Sequence, residues 1–253
     1  MAVSVLSIRS LTKSYGGVQA LDDVSFEVAA GEFLALIGPN GAGKSTCFNI
    51  INGQLRPDSG TVLLNKRDIT GRSPRRIARR GVGRTFQIAA VFGSMTVLEN
   101  VQMAMIAAAR QVFAVHRLAS GLHRERALAC LAQVGMEAAA ERPAAALAYG
   151  DVKRLELAIA LAGEPSLLLM DEPTAGMGAS ERGAMIALVK QLTVERKLAV
   201  LFTEHSMDVV FAHADRVVVL ARGRIIANGT VEEVRADPAV RAAYLGTMTE
   251  GVP

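Results

Sequence analysis

The residues best suited to chemistry lie between Gly38 and Thr46, which read GPNGAGKST. The pattern Gly-x4-Gly-Lys-Ser puts glycines where a backbone must bend tightly enough to aim several N–H groups at one anion. Phe33 to Ile37 before it is a strand-sized apolar run, and Cys47 to Ile51 after it continues as an apolar helix. The loop therefore opens onto a helix N-terminus, whose partial positive charge adds to the anion site. In that setting Gly38, Asn40, Gly41, Ala42, Gly43, Lys44, Ser45 and Thr46 are expected to bind a nucleoside triphosphate. Lys44 would reach the β- and γ-phosphates, Ser45 would offer its hydroxyl to magnesium, and Thr46 would touch the α-phosphate.

Such a loop needs an acid for the metal. Leu167-Leu168-Leu169-Met170 is an apolar strand that empties into Asp171 and Glu172. Two carboxylates at the end of a buried strand are costly unless a metal or hydrogen bonds compensate them. Asp171 is expected to hold Mg2+, mainly through water, and Glu172 to polarise the water that attacks the γ-phosphate.

The elements that must position these groups follow from patterning. Residues 3–36 alternate in short apolar bursts broken by Gly-Gly and Ala-Gly, and Thr61 to Leu64 and Val82 to Phe86 add further strands. From Val97 to Leu147 alanine, leucine and methionine replace the β-branched residues, which predicts two or three helices forming a lobe. Beyond it, strands at Leu167–Met170, Ala199–Phe202 and Val217–Leu220 alternate with helices over Val152–Ala162 and Ser180–Glu195. That alternation predicts a mostly parallel sheet with helices on both faces. Arg222-Gly223 is expected to turn a terminal hairpin.

Composition narrows the class. With 51% hydrophobic and 21% charged residues the chain is globular, and a net charge of +4 is too small to argue for nucleic acid, which is not expected as a partner. The excess is uneven: no acid lies between Asp68 and Glu99, where Arg72, Arg75, Arg76, Arg79, Arg80 and Arg84 crowd together. This is either a solvated helical face or a surface turned to an anionic partner or lipid headgroups. Cys47 and Cys130 have no metal or disulfide spacing and suit a reducing cytosol. No apolar run is long enough to span a bilayer and no secretory signal opens the chain, so any membrane role is expected to need a partner.

With both motifs in place, the chain resembles the nucleotide-binding subunits of ATP-binding-cassette (ABC) transporters from about residue 5 to residue 245. Tyr15 in KSYGG matches the aromatic that stacks on adenine. Gln87 in RTFQ matches the glutamine that senses magnesium and contacts the membrane partner. LAYGD at 147–151 stands where the family has its signature loop, and His205 in FTEHS where it has its switch histidine. The resemblance implies an α/β phosphate-loop NTPase core (mostly parallel sheet with flanking helices), an N-terminal antiparallel β subdomain and an inserted α-helical lobe. Residues 1–253 would form one cassette, with 1–96 and 148–253 as core and 97–147 as lobe. It also implies ATP hydrolysis between two head-to-tail subunits, each ATP held by one phosphate loop and, in trans, by Gly150 of the other. Lys44, Gln87, Glu172 and His205 would be the catalytic set, with Ser45, Gln87 and Asp171 around Mg2+. Glu172 would be the base and His205 would hold geometry.

Two positions depart from the family pattern. Ala148 replaces the signature serine, a loss of about 1 kcal/mol of hydrogen bonding. Gly178 stands where the loop after Glu172 usually has Asp, which alters communication across the dimer. Within the family, Ala-Tyr-Gly at 148–150, FQIAAVFGSMTVLENV at 86–101 and ANGTVEEVRADPAVRAAYLG at 227–246 resemble ATPases that import branched-chain and other hydrophobic amino acids. Importers of urea, amides or aromatic carboxylates share this branch, and a soluble non-transport ABC ATPase is the further alternative. The implied partners are transmembrane permeases, met through the Gln87 region and the helical lobe with Phe86, Val91, Phe92 and Met95 as anchors. A second ATPase copy or a paralogue completes the dimer, and a periplasmic binding protein acts indirectly. The implied location is peripheral, on the cytoplasmic face of the inner membrane. Asn65-Lys66-Arg67-Asp68 formally matches a guanine-reading motif but precedes the acid strand, the wrong order, and is read as chance.

Overall fold

The computed structural model describes residues 3–85, 91–109 and 121–245. One sheet is antiparallel and contains β1 (Ser4–Tyr15), β2 (Val18–Ala29), β4 (Ser59–Leu64) and β5 (Arg67–Asp68) in the order β2-β1-β4-β5. The other contains β3 (Phe33–Ile37), β6 (Val82–Thr85), β7 (Leu167–Asp171), β8 (Ala199–Thr203), β9 (Arg216–Ala221) and β10 (Arg224–Gly229) in the order β10-β9-β3-β8-β7-β6. Its neighbours are parallel except β9 and β10. The α/β core and the antiparallel N-terminal sheet are therefore as the sequence implies.

Three tight hairpins join antiparallel strands, and each has two central residues at positive φ: Gly16-Gly17, Asn65-Lys66 and Arg222-Gly223. Such turns match the right-handed twist of the flanking strands. Asn65 and Lys66 are thus turn residues, which explains the chance guanine-like match.

The parallel strands are apolar throughout because both faces are covered. In β3, Phe33, Ala35 and Ile37 face one core while Leu34 and Leu36 face the other, and β7, β8 and β9 alternate in step. On the Leu34 side, helix α1 (Lys44–Ile51) is packed between the two sheets through Cys47, Phe48, Ile50 and Ile51. On the Phe33 side lie α3 (Val97–Ala108), α4 (Arg124–Gln133), α5 (Tyr149–Leu161) and α6 (Ala179–Arg196). Phe33 and Phe202 stack there with ring centroids 4.2 Å apart. Helix α3 starts at a capping box: Thr96 Oγ1 accepts from the Glu99 N–H, and the Glu99 carboxylate accepts from the Thr96 N–H. Among the described residues, the buried side chains of α3, α4 and α5 share one continuous core with the sheet.

Between the sheet and this lobe runs a groove of about 390 Å3, floored by apolar side chains that include Ile77, Val82, Ala104, Ala108, Ile159 and Pro165. The short helix α2 (Pro74–Ala78) forms one rim, with Arg75 and Arg79 on it. Val91, Phe92 and Met95 do not line this groove. Val91 packs against the core and Phe92 is exposed, its loop held by Asn100, while Phe86 lies outside the described residues.

Cys47 and Cys130 are both buried, and burial pushes their thiols up, to about 12 and about 11 respectively. Thiolate is the reactive form. Neither cysteine should react with an aromatic disulfide reagent at about pH 8 in the native chain, whereas both should titrate after denaturation. Rapid labelling of Cys47 in the folded protein would contradict this packing.

Candidate nucleotide site

The C-terminal ends of β3, β8 and β7 deliver the chemistry to one edge of the sheet. Leu34 pairs with Leu201 and Met170 with Phe202 in parallel register, so the phosphate loop, Thr203-Glu204-His205 and Asp171-Glu172 emerge side by side. In open parallel sheets this carboxyl edge is where ligands bind.

Two glycines shape the loop. At Gly38 (φ +153°) a Cβ would stand 2.1 Å from the Leu220 carbonyl oxygen, and at Gly43 (φ +107°) 2.4 Å from that of Ala20. No side chain fits at either position. The Gly223 N–H donates to the Ala42 carbonyl, tying the loop to the β9–β10 turn. Asn40 through Thr46 line a cavity of about 200 Å3 together with Ala20, Glu172 and His205. Lys44 is buried, its Nζ donating to the carbonyls of Gly38 (2.7 Å) and Pro39 (3.1 Å). Burial lowers its pKa below the ordinary lysine value, and the charges of Glu172 and then Asp171 oppose that shift.

The Asp171 carboxylate is set by two partners. Thr203 Oγ1 donates to Oδ1 at 2.7 Å, and the Arg84 guanidinium lies 3.7 Å from Oδ2. Arg84 also donates to Asn49 Oδ1 and Gln54 Oε1, each at 3.2 Å. Arg84 therefore belongs to the site, and the surface arginine cluster is correctly Arg72, Arg75, Arg76, Arg79 and Arg80, all exposed. Only the pairing of β6 with β7 separates it from the arginine run. Glu172 has left-handed backbone (φ 49°), a conformation that costs a non-glycine residue about 1–3 kcal/mol and clusters at functional sites. Its N–H donates to Thr203, and its Oε1 is 2.7 Å from His205 Nε2.

Thr174 and Glu204 were not singled out by sequence reasoning. Glu204 is buried, accepting from Thr174 N–H (3.1 Å) and Thr174 Oγ1 (2.5 Å) through Oε1 and from the His205 N–H (3.1 Å) through Oε2. It ties the segment after Glu172 to His205. The polar run Thr203-Glu204-His205 at the end of an apolar strand was its signal, parallel to Asp171-Glu172.

Tyr15 closes β1, 46% exposed, with the Lys13 ammonium 5.5 Å from its ring centroid; its ring does not line the cavity around Lys44. Gln87 lies outside the described residues. Helix α5 begins at Tyr149, with Ala148 as its extended N-cap, so Gly150 lies inside the first turn instead of preceding the helix as the sequence reading had it. The first turn leaves N–H groups without intrahelical acceptors. Gly150 is absent from the cavity around Lys44. The hydroxyl of Ser45 and the carboxylate of Asp171 are hard oxygen donors that fit magnesium, which binds through one or two such ligands plus substrate phosphates.

Comparison with known proteins agrees with this geometry. A family model described as "ABC transporter" matches residues 21–175, and one described as "Branched-chain amino acid ATP-binding cassette transporter" matches residues 224–248. The chain is 38% identical over 253 residues to the high-affinity branched-chain amino acid transport ATP-binding protein LivG of Salmonella typhimurium, covering 97% of this chain and 99% of that one. A probable branched-chain amino acid transport ATP-binding protein LivG of Archaeoglobus fulgidus is 34% identical, with 97% of each chain covered. Among solved structures, the ADP conformation of the ATP-binding cassette MJ1267 superposes with a TM-score of 0.86 at 31% identity, covering 96% of this chain and 99% of that one. The dimeric bacterial ABC transporter cassette MJ0796 superposes at 0.74 with 28% identity, covering 89% and 98%. The phosphate loop, the paired acids and these likenesses lead to one conclusion: the chain belongs to the ABC transporter family, as one of its ATP-binding cassettes.

Proposed function

We propose that this cassette hydrolyses ATP to drive import of branched-chain or other hydrophobic amino acids, working in a head-to-tail pair. The observation that carries the catalytic half is the cavity where Lys44, Glu172 and His205 meet. The transport half rests on the relatives and on the C-terminal match at residues 224–248, which spans β10, α7 (Val231–Ala236) and α8 (Pro238–Leu245).

The β- and γ-phosphates of ATP rest on N–H groups of residues 43–45 and Thr46 reaches the α-phosphate, while the Lys44 ammonium exchanges its loop carbonyls for phosphate oxygens. Ser45 and Asp171 would hold Mg2+, which would supply positive charge to neutralise the phosphates. Thr203 and Arg84 keep the Asp171 carboxylate fixed for that task. Glu172 accepts a proton from water aimed at the γ-phosphate, and His205 orients its carboxylate. A second anion site is needed opposite the loop, and Gly150 of another cassette supplies it, because within one chain Gly150 is outside the cavity. The partner cassette is a second copy or a paralogue, and Tyr15 gives adenine an exposed aromatic face.

The apolar groove beside α2 is the proposed seat for a short helix of a membrane permease. No helix among the described residues is long and apolar enough to cross a membrane, so the chain would bind peripherally, at the cytoplasmic face of the membrane. Contact with the permease would also involve Gln87.

Lys44→Ala should weaken ATP binding by tenfold or more, about 1.4 kcal/mol, in equilibrium binding of a fluorescent nucleotide. An unchanged dissociation constant would refute the phosphate-loop assignment. Glu172→Gln should bind ATP like the parent yet lose at least about a hundredfold in turnover; normal phosphate release by that variant would remove Glu172 as the base. Purification from native membranes should bring down the permease components of a hydrophobic amino-acid importer, and recovery with urea-transport components instead would overturn the solute class.

A further inference from the structure

The loop that follows Glu172 and the start of α5 touch each other at two points. Tyr149 Oη donates a 2.9 Å hydrogen bond to the Ala175 carbonyl. Its ring lies against Gly176, where a Cβ would stand 3.3 Å from the hydroxyl oxygen and 3.4 Å from two ring carbons. At the second point a Cβ on Gly150 would stand 3.1 Å from Glu181 Oε1, and Glu181 Oε2 accepts from the Gly178 N–H at 3.3 Å. Tyr149 is 49% exposed, so burial alone does not account for it.

From Ala175 the contacts continue to the reacting groups without a gap. The Ala175 N–H donates to the Glu172 carbonyl at 3.1 Å. Thr174 is held by Glu204, Glu204 holds the His205 N–H, and His205 Nε2 sits on Glu172 Oε1. One end of this chain of contacts is Gly150, beside Tyr149. The other is the Glu172 carboxylate. Resting on the head-to-tail reading, Gly150 serves the partner's ATP while Glu172 serves the chain's own.

We infer that Tyr149 is a positioning residue that couples the two ATP sites of the pair, moving the 172–176 segment with the α5 N-terminus when Gly150 engages the partner's γ-phosphate. The tyrosine hydroxyl transmits the displacement because its acceptor, the Ala175 carbonyl, lies three residues from Glu172. Displacements on the order of 1 Å at a reacting group are enough to change rates about a hundredfold. Gly178 has no side chain at the α6 N-cap, and the start of α5 meets this segment through Tyr149, Glu181 and Met177, whose Cε would stand 3.8 Å from a Cβ on Gly150.

The test compares the full-length chain with its Tyr149→Phe and Gly150→Glu variants, measuring ATPase rate against ATP concentration, nucleotide binding at the phosphate loop and thermal melting. Tyr149→Phe keeps the ring on Gly176 and removes one hydrogen bond. It should melt with the parent and bind ATP with the parent's dissociation constant, while kcat falls about three- to tenfold and the Hill coefficient drops from above 1 toward 1. A parental kcat and Hill coefficient would overturn the coupling. So would a lower kcat with an unchanged Hill coefficient, which assigns Tyr149 a purely local role. Gly150→Glu, which sets a second carboxylate beside Glu181, should retain nucleotide binding at its own phosphate loop but not hydrolyse. If it hydrolyses normally, the head-to-tail reading itself fails. If Gly150→Glu is inactive while Tyr149→Phe matches the parent, only the coupling fails.

Discussion

A buried ammonium facing two carboxylates at the end of parallel strands is the interaction around which this molecule is organised. Lys44 is covered by its own loop, and the charges of Glu172 and Asp171 offset part of what that burial costs. The three groups meet because β3, β8 and β7 are hydrogen-bonded in parallel register, which places their C-terminal ends abreast. A one-residue slip would turn every apolar side chain of these strands to the opposite core, so the register is firmly specified. The loop then closes over the site only because Gly38 and Gly43 have no Cβ to strike the carbonyls of Leu220 and Ala20.

Much of this was legible in the chain. GPNGAGKST between an apolar strand and an apolar helix, and a leucine strand ending in Asp171-Glu172, each carry their context with them. The hairpins at Gly16-Gly17 and Arg222-Gly223 were equally readable, because glycine marks positive φ. What was not legible depends on long-range neighbours. Arg84 looked like one more member of an arginine run until β6 was placed beside β7, where it reaches Asp171. Glu204 stands in a polar run at the end of an apolar strand, but its partner Thr174 comes within 2.5 Å of it only through the fold. Helix α5 starts at Tyr149, three residues before the predicted Val152, because Ala148, which has no side-chain oxygen to cap a helix, gave no boundary signal.

The variant signature loop takes on a different meaning in three dimensions. As sequence, Ala148 is a lost hydroxyl. In the fold, the neighbouring Tyr149 gains a bond to Ala175 and a packing surface on Gly176. The first turn of α5 and the segment that begins at Glu172 thereby become parts of one contact network.

The central claim is that one chain supplies only half of each ATP site. Its most direct test is the mass of the Glu172→Gln chain in solution by analytical ultracentrifugation, with ATP and with ADP. The account predicts a dimer with ATP and a monomer with ADP, since only the γ-phosphate can be shared between Lys44 and the partner's Gly150. A monomer in both nucleotides, under conditions where ATP is bound, would contradict it.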